Sequence, residues 1–189
     1  MKYVSIDLET TGLNADNCQV LEIGAVCNDL SQPFDPGHPC HIFHRFVSHR
    51  EYYGEPFALA LNQQILYTLA RGQDSDICDV HDVADQFADW LAAMGFNREI
   101  PVVVAGKNFA SFDKPFLRKL PHFEAVVKLH HRCLDPGSMY FDPTRDEFVP
   151  STQECLNRAG LDSEVSHTAV EDALDVCRLI RWKLLGTAE

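Results

Sequence analysis

A continuous valine-rich run at residues 101–105, between two stretches of helical spacing, constrains the fold of this chain most strongly. A strand that is apolar at every position is buried on both faces, and helices usually cover those faces. Three earlier strand-like runs occupy residues 3–8, 19–27 and 41–47, and helical patterns then alternate with strands. We therefore predict an α/β fold with a mixed sheet, formed by one domain that spans residues 1–189.

Apolar residues at helical spacing predict five helices. These helices cover residues 57–69, 79–94, 112–120, 150–159 and 168–184. Phe57 and Leu61 begin the apolar series of the first helix, and Ser151 opens a capping-box pattern at the fourth. Residues 28–39 contain three prolines and a glycine, which predicts a loop, and residues 131–134 predict a short fifth strand.

The composition argues against several classes of protein. Seven cysteines, an odd number without a Cys-x-x-Cys pair, argue against a disulfide framework and against a thiolate zinc site. We expect reduced, mostly buried thiols in a cytoplasmic protein. No apolar run approaches the ~20 residues that a membrane helix needs. The N-terminal run is short and meets an acid at Asp7, which predicts a strand rather than a signal peptide.

The net charge of -12 has the wrong sign for a protein that binds nucleic acid, because phosphate binding normally uses lysine and arginine. Two interpretations remain open from the sequence. Some of the carboxylates hold metal ions, which reverse the local charge. Alternatively, the substrate is short and needs few phosphate contacts.

Four acidic residues stand at the ends of apolar segments. Asp7 and Glu9 are two residues apart on the first strand, so their side chains point to the same face of the sheet. Two carboxylates this close stay ionised together only if a cation lies between them. Asp113 follows the valine-rich strand, and Asp172 lies in the first turns of the last helix, five residues after His167.

These residue types indicate metal-assisted hydrolysis. Hard oxygen ligands without a nearby cysteine suit Mg²⁺ or Mn²⁺ better than zinc. Two such ions ~4 Å apart activate a water molecule, hold a scissile phosphate and stabilise the leaving oxygen. His167 would take the proton from that water, a task that suits the near-neutral pKa of histidine.

Three segments of the sequence, in order, resemble the three motifs of the DEDDh exonucleases. They are Ile-Asp-Leu-Glu-Thr-Thr-Gly-Leu at residues 6–13, Gly-Lys-Asn-Phe-Ala-Ser-Phe-Asp-Lys-Pro-Phe-Leu at 106–117 and His-Thr-Ala-Val-Glu-Asp-Ala at 167–173. The histidine in the third motif is typical of the DEDDh subgroup. Members of this family include the proofreading subunit of bacterial replicative polymerases, ribonuclease T and oligoribonuclease.

The resemblance implies a ribonuclease-H-like fold with a five-stranded mixed sheet flanked by helices. It implies two divalent ions, Mg²⁺ or Mn²⁺, and His167 as the general base. The implied metal ligands, which are also catalytic residues, are Asp7, Glu9, Asp113 and Asp172. The implied cradle for the terminal nucleotide is the backbone of Thr10, Thr11, Gly12 and Leu13.

The second motif departs from the family pattern in a way that bears on substrate binding. Asn108 lies one position further from Asp113 than the asparagine expected there, and Phe109 takes the usual place, so both are candidate substrate-binding residues. Lys114 and Arg118 are four residues apart and share a helix face. They would hold substrate phosphates next to Asp113, although a solvated helix face explains them equally well.

The predicted reaction is hydrolysis of phosphodiester bonds at the 3′ end of single-stranded DNA or RNA, with release of nucleoside 5′-monophosphates. Short RNA fits the acidic charge, whereas single-stranded DNA fits the motifs equally well. A homodimer and association with a polymerase are both open. The alternative from another class is a catalytically silent module that binds nucleic acid or a polymerase.

Overall fold

In this computed structural model, the described residues are 1–35, 38, 41–161 and 168–188. They form one six-stranded sheet and eight helices. The strands are β1 (Lys2–Thr10), β2 (Val20–Asp29), β3 (Ile42–Ser48), β4 (Ile77–Asp79), β5 (Val102–Ala105) and β6 (Leu129–Leu134). The helices are α1 (Pro56–Leu61), α2 (Gln63–Arg71), α3 (Val83–Ala93), α4 (Asp113–Lys119), α5 (Phe123–Val126), α6 (Pro136–Tyr140), α7 (Thr152–Ala159) and α8 (Ala169–Leu185).

The sheet is mixed, as predicted. Its strand order is β4-β3-β2-β1-β5-β6. The strands β1, β2 and β3 form an antiparallel meander, whereas β4 pairs in parallel with β3 and β5 in parallel with both β1 and β6. The carboxyl ends of β1 and β5 therefore lie at the same edge of the sheet, which brings the ends of two motif-bearing segments together.

The structure corrects several predicted elements. The sheet has six strands rather than five, because β4 has only three residues and shows no recognisable alternation. The predicted helix at 79–94 therefore begins only at Val83. The predicted helix at 57–69 is two helices, since the backbone at Asn62 leaves helical geometry with φ -91° and ψ 22°. The short helices α5 and α6 have too few residues to show a helical period.

Helices cover both faces of the central strands, as the valine-rich run predicts. On one face, Val4, Ile6 and Leu8 of β1 pack into a core with side chains of α3 and α4. On the other face, Tyr3 of β1 and Val26 of β2 pack against α8. Since neighbouring residues of a strand point to opposite faces, this arrangement assigns every side chain of β1 to one helix layer or the other.

The described cysteines are free thiols, and five of the six are buried. Cys40 lies outside the described residues. Among the described helices, none combines the length and the apolar character that crossing a bilayer requires.

Candidate active site

The first motif is the end of β1, and its alternation places two acids under α8. Ile6 and Leu8 belong to the core on the side of α3 and α4. Asp7 and Glu9 therefore point to the opposite face, which α8 covers. Both acids are partly buried between the sheet and the helix.

Gly24 allows α8 to reach these two acids. It is the residue of β2 directly opposite Asp7. A Cβ atom at Gly24 would lie only 2.2 Å from the carbonyl carbon of Ala169 and 2.3 Å from the nitrogen of Val170. The first turn of α8 therefore sits on the sheet at the one position where β2 has no side chain.

The third motif completes a carboxylate cluster. The side chain of Thr168 caps α8 by accepting a hydrogen bond from the Glu171 N–H at 3.4 Å, so Asp172 falls in the first turn. One carboxylate oxygen from each of Asp7, Glu9 and Asp172 lies within 4.8 Å of the other two. This spacing matches oxygen ligands that share a divalent cation.

Asp113 approaches the cluster from the second motif. After β5, the chain turns at Asn108, whose φ is 57°, and the carbonyl of Asn108 accepts hydrogen bonds from the N–H groups of Ser111 and Phe112 at 3.0 Å. Asp113 then begins α4 and is 2% exposed. Its carboxylate accepts hydrogen bonds from its own backbone N–H and from that of Leu8, which ties α4 to β1.

The pKa values of these acids are raised because burial removes water from carboxylates that also repel one another. Burial is the largest cause for Asp7, followed by the charges of Asp113 and Asp172, and its pKa lies well above the ordinary value. Burial and then the charge of Glu22 raise the pKa of Glu9 to about 7. Burial raises the pKa of Asp113 to about 8.

The donor set fits a divalent metal centre. Asp113 is buried, whereas Asp7, Glu9 and Asp172 are partly buried, and neighbouring negative charges make ionisation of these acids less favourable. A divalent cation would reverse this effect, since its charge favours the ionised form of each acid. Because the ligands are all oxygen atoms, they suit Mg²⁺ or Mn²⁺.

The loop after β1 is held rigidly by the protein itself. The Thr11 N–H donates to the carbonyl of Gln19 at 2.9 Å, and the Thr11 hydroxyl accepts from the Gln19 N–H at 2.8 Å. The Thr10 hydroxyl donates to the carbonyl of Gly12 at 2.7 Å. Thr10 and Thr11 are buried, whereas the side chain of Leu13 is 76% exposed. The loop therefore presents the side chain of Leu13 to solvent.

Three residues that the sequence did not single out clamp this loop from the other side. The Glu55 N–H donates to the carbonyl of Thr11 at 2.7 Å, and a Cβ atom at Gly54 would lie 2.2 Å from the same oxygen. Asn62 donates from Nδ2 to the carbonyl of Thr10 at 3.0 Å. Asn62 also hydrogen-bonds Glu9 and so lowers the pKa of that acid, against the larger effect of burial. A polar residue within an apolar helical series was the sequence signal for Asn62.

A fifth carboxylate, Glu22, lies next to the cluster. Glu22 of β2 is directly opposite Glu9 and is 3% exposed. Like charges opposite each other on neighbouring strands are destabilising. His44 lies between Glu22 and Asp76, with Nε2 2.8 Å from Glu22 Oε1 and Nδ1 3.0 Å from Asp76 Oδ2. The hydrogen bond with Glu22 is the largest cause that raises the pKa of His44, so this contact favours the protonated form of the histidine.

The remaining predicted site residues differ in their surroundings. Phe109 is 1% exposed and packs in the core, so this structure offers no exposed ring surface there for stacking on a base. The Asn108 N–H donates to Asp135 Oδ2 at 3.0 Å, and its side chain accepts from Lys107 Nζ at 3.0 Å. Lys114 is half-buried and lines a cavity beside α4. His167 lies outside the described residues.

Solved structures of exonucleases share this architecture. Exonuclease I of E. coli, solved in complex with a dT13 oligonucleotide, matches 99% of this chain with a TM-score of 0.68 and 14% identity. The nuclease domain of 3′hExo, a DEDDh family member solved bound to rAMP, matches 95% of it with a TM-score of 0.66 and 15% identity. Exonuclease I from Methylocaldum szegediense matches 95% with a TM-score of 0.64 and 16% identity. This chain has the fold of a DEDDh exonuclease domain.

The likeness confirms the predicted ribonuclease-H-like α/β class. The chain spans 41% and 40% of the two exonuclease I chains and 90% of the 3′hExo nuclease domain. No protein-family model matches the sequence, and no curated protein matches it. At such low identity the shared property is the fold, and the chemistry has to be inferred from the carboxylate cluster.

Proposed function

We propose that this chain is a metal-dependent 3′→5′ exonuclease that releases nucleoside 5′-monophosphates from single-stranded DNA or RNA. The observation that carries the proposal is the convergence of Asp7, Glu9 and Asp172 within 4.8 Å, with Asp113 close enough to raise the pKa of Asp7. Four buried or partly buried acids that repel one another are costly unless they bind a cation. Their positions match all three motifs.

The proposed metal ligands are Asp7, Glu9, Asp113 and Asp172. When bound, two divalent ions, Mg²⁺ or Mn²⁺, supply positive charge that polarises a phosphodiester and lowers the pKa of a water molecule. We place His167 as the acceptor of the proton from the attacking water, on the strength of its position directly before Thr168, the N-cap of α8. The rigid loop with exposed Leu13 would orient the terminal nucleotide, so that its phosphodiester faces the carboxylates.

The structural neighbours support the substrate class. One was solved with a thirteen-residue deoxythymidine oligonucleotide and another with a ribonucleotide monophosphate. The element that the two ligands share is a nucleotide, and we propose that this chain binds it as the 3′ end of a single strand. The two neighbours differ in sugar, so DNA and RNA both remain candidate substrates. Polymerase association, a homodimer and a cytoplasmic location stay predictions.

The test is hydrolysis of a 5′-labelled oligonucleotide, made as RNA and as DNA of the same sequence, with Mg²⁺, with Mn²⁺ and with a chelator. We expect a ladder that shortens from the 3′ end only in the presence of metal, and the faster strand identifies the preferred sugar. Tight binding of both strands without cleavage under any of these conditions would instead support the catalytically silent module.

The matched pair of variants is Asp113→Asn and Asp175→Asn. Both replace a buried acid, 2% and 3% exposed respectively, but Asp175 pairs with Arg178 at 2.8 Å outside the carboxylate cluster. Asp113→Asn should lose roughly 100-fold or more of the rate, since it weakens a metal ligand, while remaining folded by circular dichroism. Full activity in Asp113→Asn, or an equal loss in Asp175→Asn, would contradict the assignment of Asp113.

A further inference from the structure

A groove runs along one side of α4 and adjoins two segments next to the carboxylate cluster, the loop after β1 and the residue before Asp113. Its first part is a cavity of about 620 Å³ between the loop after β1 and α4, and Leu13 and Phe112 are among the residues that line it. A second cavity of about 310 Å³ shares Ala15, Asp16, Phe116 and Lys119 with the first and continues to Tyr53. We call the two together the α4 groove. It begins beside both Leu13 of the nucleotide cradle and the residue that precedes Asp113.

The α4 groove combines aromatic and basic side chains. Phe112 and Phe116 line it with their ring centroids 5.3 Å apart, and Phe112 is half-exposed. Lys114, Arg118 and Lys119 also line it, in a chain whose net charge is -12. Proteins that bind single strands use this combination, since phosphates are attracted to cations while bases stack on aromatic rings.

The cations in the α4 groove differ in their partners. Within residues 1–35, 41–161 and 168–188, Lys114 forms no ion pair. Arg118 pairs with exposed Glu124 at 2.8 Å, and Lys119 pairs with Asp16 at 2.6 Å across the groove. The Lys119 and Asp16 side chains are 60% and 72% exposed. An exposed pair of this kind is weak and open to competition from another anion.

We infer that the α4 groove binds the part of the single strand that lies upstream of the terminal nucleotide. This inference rests on the proposed exonuclease function and defines its substrate as a strand longer than a dinucleotide. Leu13 lines the groove, so a strand whose last nucleotide is held at Leu13 has a path into it. Lys114 and Lys119 contact phosphates, and Phe112 offers a stacking surface for a base.

Asp16 competes with a substrate phosphate for Lys119. A phosphate that reaches Lys119 has to replace the Asp16 carboxylate and is repelled by it. Asp16→Asn therefore strengthens binding of a long oligonucleotide, whereas Lys119→Ala weakens it, although both substitutions break the same ion pair. A purely structural role for the pair would give both substitutions the same sign.

The matched control is the pair Lys128–Glu99, which has the same 2.6 Å separation and is also exposed but lies outside the α4 groove. The first measurement is the Kd of a fluorescent oligonucleotide about ten nucleotides long, enough to pass along the groove, in the presence of a chelator. We expect Lys119→Ala to raise Kd roughly threefold to tenfold and to reduce the salt slope by about one. Asp16→Asn should lower Kd, while Lys128→Ala and Glu99→Gln leave it unchanged.

The second measurement is the ratio of kcat/KM for the same oligonucleotide to that for a dinucleotide. We expect the ratio to fall in Lys119→Ala and to rise in Asp16→Asn. Unchanged Kd values and ratios in both variants would overturn the inference while leaving the exonuclease function intact. Groove-dependent Kd values without hydrolysis by the wild type would support the groove and refute the exonuclease function.

Discussion

Replacing Gly24 by alanine should shift the start of α8, and with it Asp172, without changing any of the four acids. The new Cβ atom would lie 2.2 Å from the Ala169 carbonyl carbon, whereas ordinary contacts begin at 3.4 Å. Because the obstacle is backbone, the start of α8 must retreat by roughly 1 Å. Overpacking of this kind costs about 1–3 kcal/mol of the free energy of unfolding. Asp172 moves with the helix, away from Asp7 and Glu9.

The displacement should weaken metal binding more than stability. Changes that disturb the position of metal ligands typically cost about 10–100-fold in metal affinity or activity. The assay is the rate of oligonucleotide hydrolysis as a function of Mn²⁺ concentration, together with urea unfolding. We expect Gly24→Ala to require roughly 10-fold or more Mn²⁺ for half-maximal rate.

The control for this experiment is Gly72→Ala. Gly72 ends α2 with φ 62° and has no atom within 4 Å of an added Cβ. The same substitution there should cost roughly 1 kcal/mol through backbone strain and leave the Mn²⁺ requirement unchanged. Equal Mn²⁺ curves for Gly24→Ala, Gly72→Ala and the wild type would refute the role given to Gly24.

Three further outcomes are expected. With a chelator, the free energy of unfolding should fall as pH rises from about 4 to 8. The pKa values of Glu9 (about 7) and Asp113 (about 8) exceed their unfolded values, so the native state binds more protons than the unfolded state. A melting temperature that rises over this interval would contradict the expected fall. Asn62→Ala should lower the free energy of unfolding, measured with urea, by about 1–2 kcal/mol and should raise the Mn²⁺ requirement, since Asn62 hydrogen-bonds Glu9. The control is Thr68→Ala, which removes only a hydrogen bond to the carbonyl of Gln64 and should leave the Mn²⁺ requirement unchanged. Glu22→Gln should lower the pKa of His44 in an NMR titration, because the Glu22 hydrogen bond is the largest cause that raises it; an unchanged titration would argue against the pair.

Local patterns in the sequence were enough to predict most of the elements. The predicted cap at Ser151 is confirmed, since its hydroxyl accepts from the Glu154 N–H at 3.2 Å, while the Glu154 carboxylate accepts from Arg158 Nε at 2.9 Å. Short apolar runs predicted β1, β2 and β5, alternation predicted β3, and helical spacing predicted α8, because burial of one face or of both faces leaves its own pattern in the sequence. The elements that were missed, β4, α5 and α6, are too short to contain a repeat.

The exposed face of α1 shows where a pattern misleads. Phe57 and Leu61 follow the helical spacing of a buried face, yet they are 81% and 58% exposed. The helix is interrupted at Asn62, whose side chain turns inward to hold Thr10. The spacing was therefore correct, but the direction in which the helix faces depends on contacts with the first motif.

The sequence by itself determined the chemical identity of the candidate site. The order and spacing of three motifs predicted Asp7, Glu9, Asp113 and Asp172 as metal ligands, because the proposed metal-assisted hydrolysis requires these residue types and the spacing within each motif can be read directly from the sequence. The tertiary structure decided what surrounds them. Gly24, Asn62 and Glu22 act on the cluster through contacts between residues far apart in sequence, and only folding brings these contacts into being. For the same reason the sequence did not predict the burial of Phe109, which depends on the helices that cover the sheet.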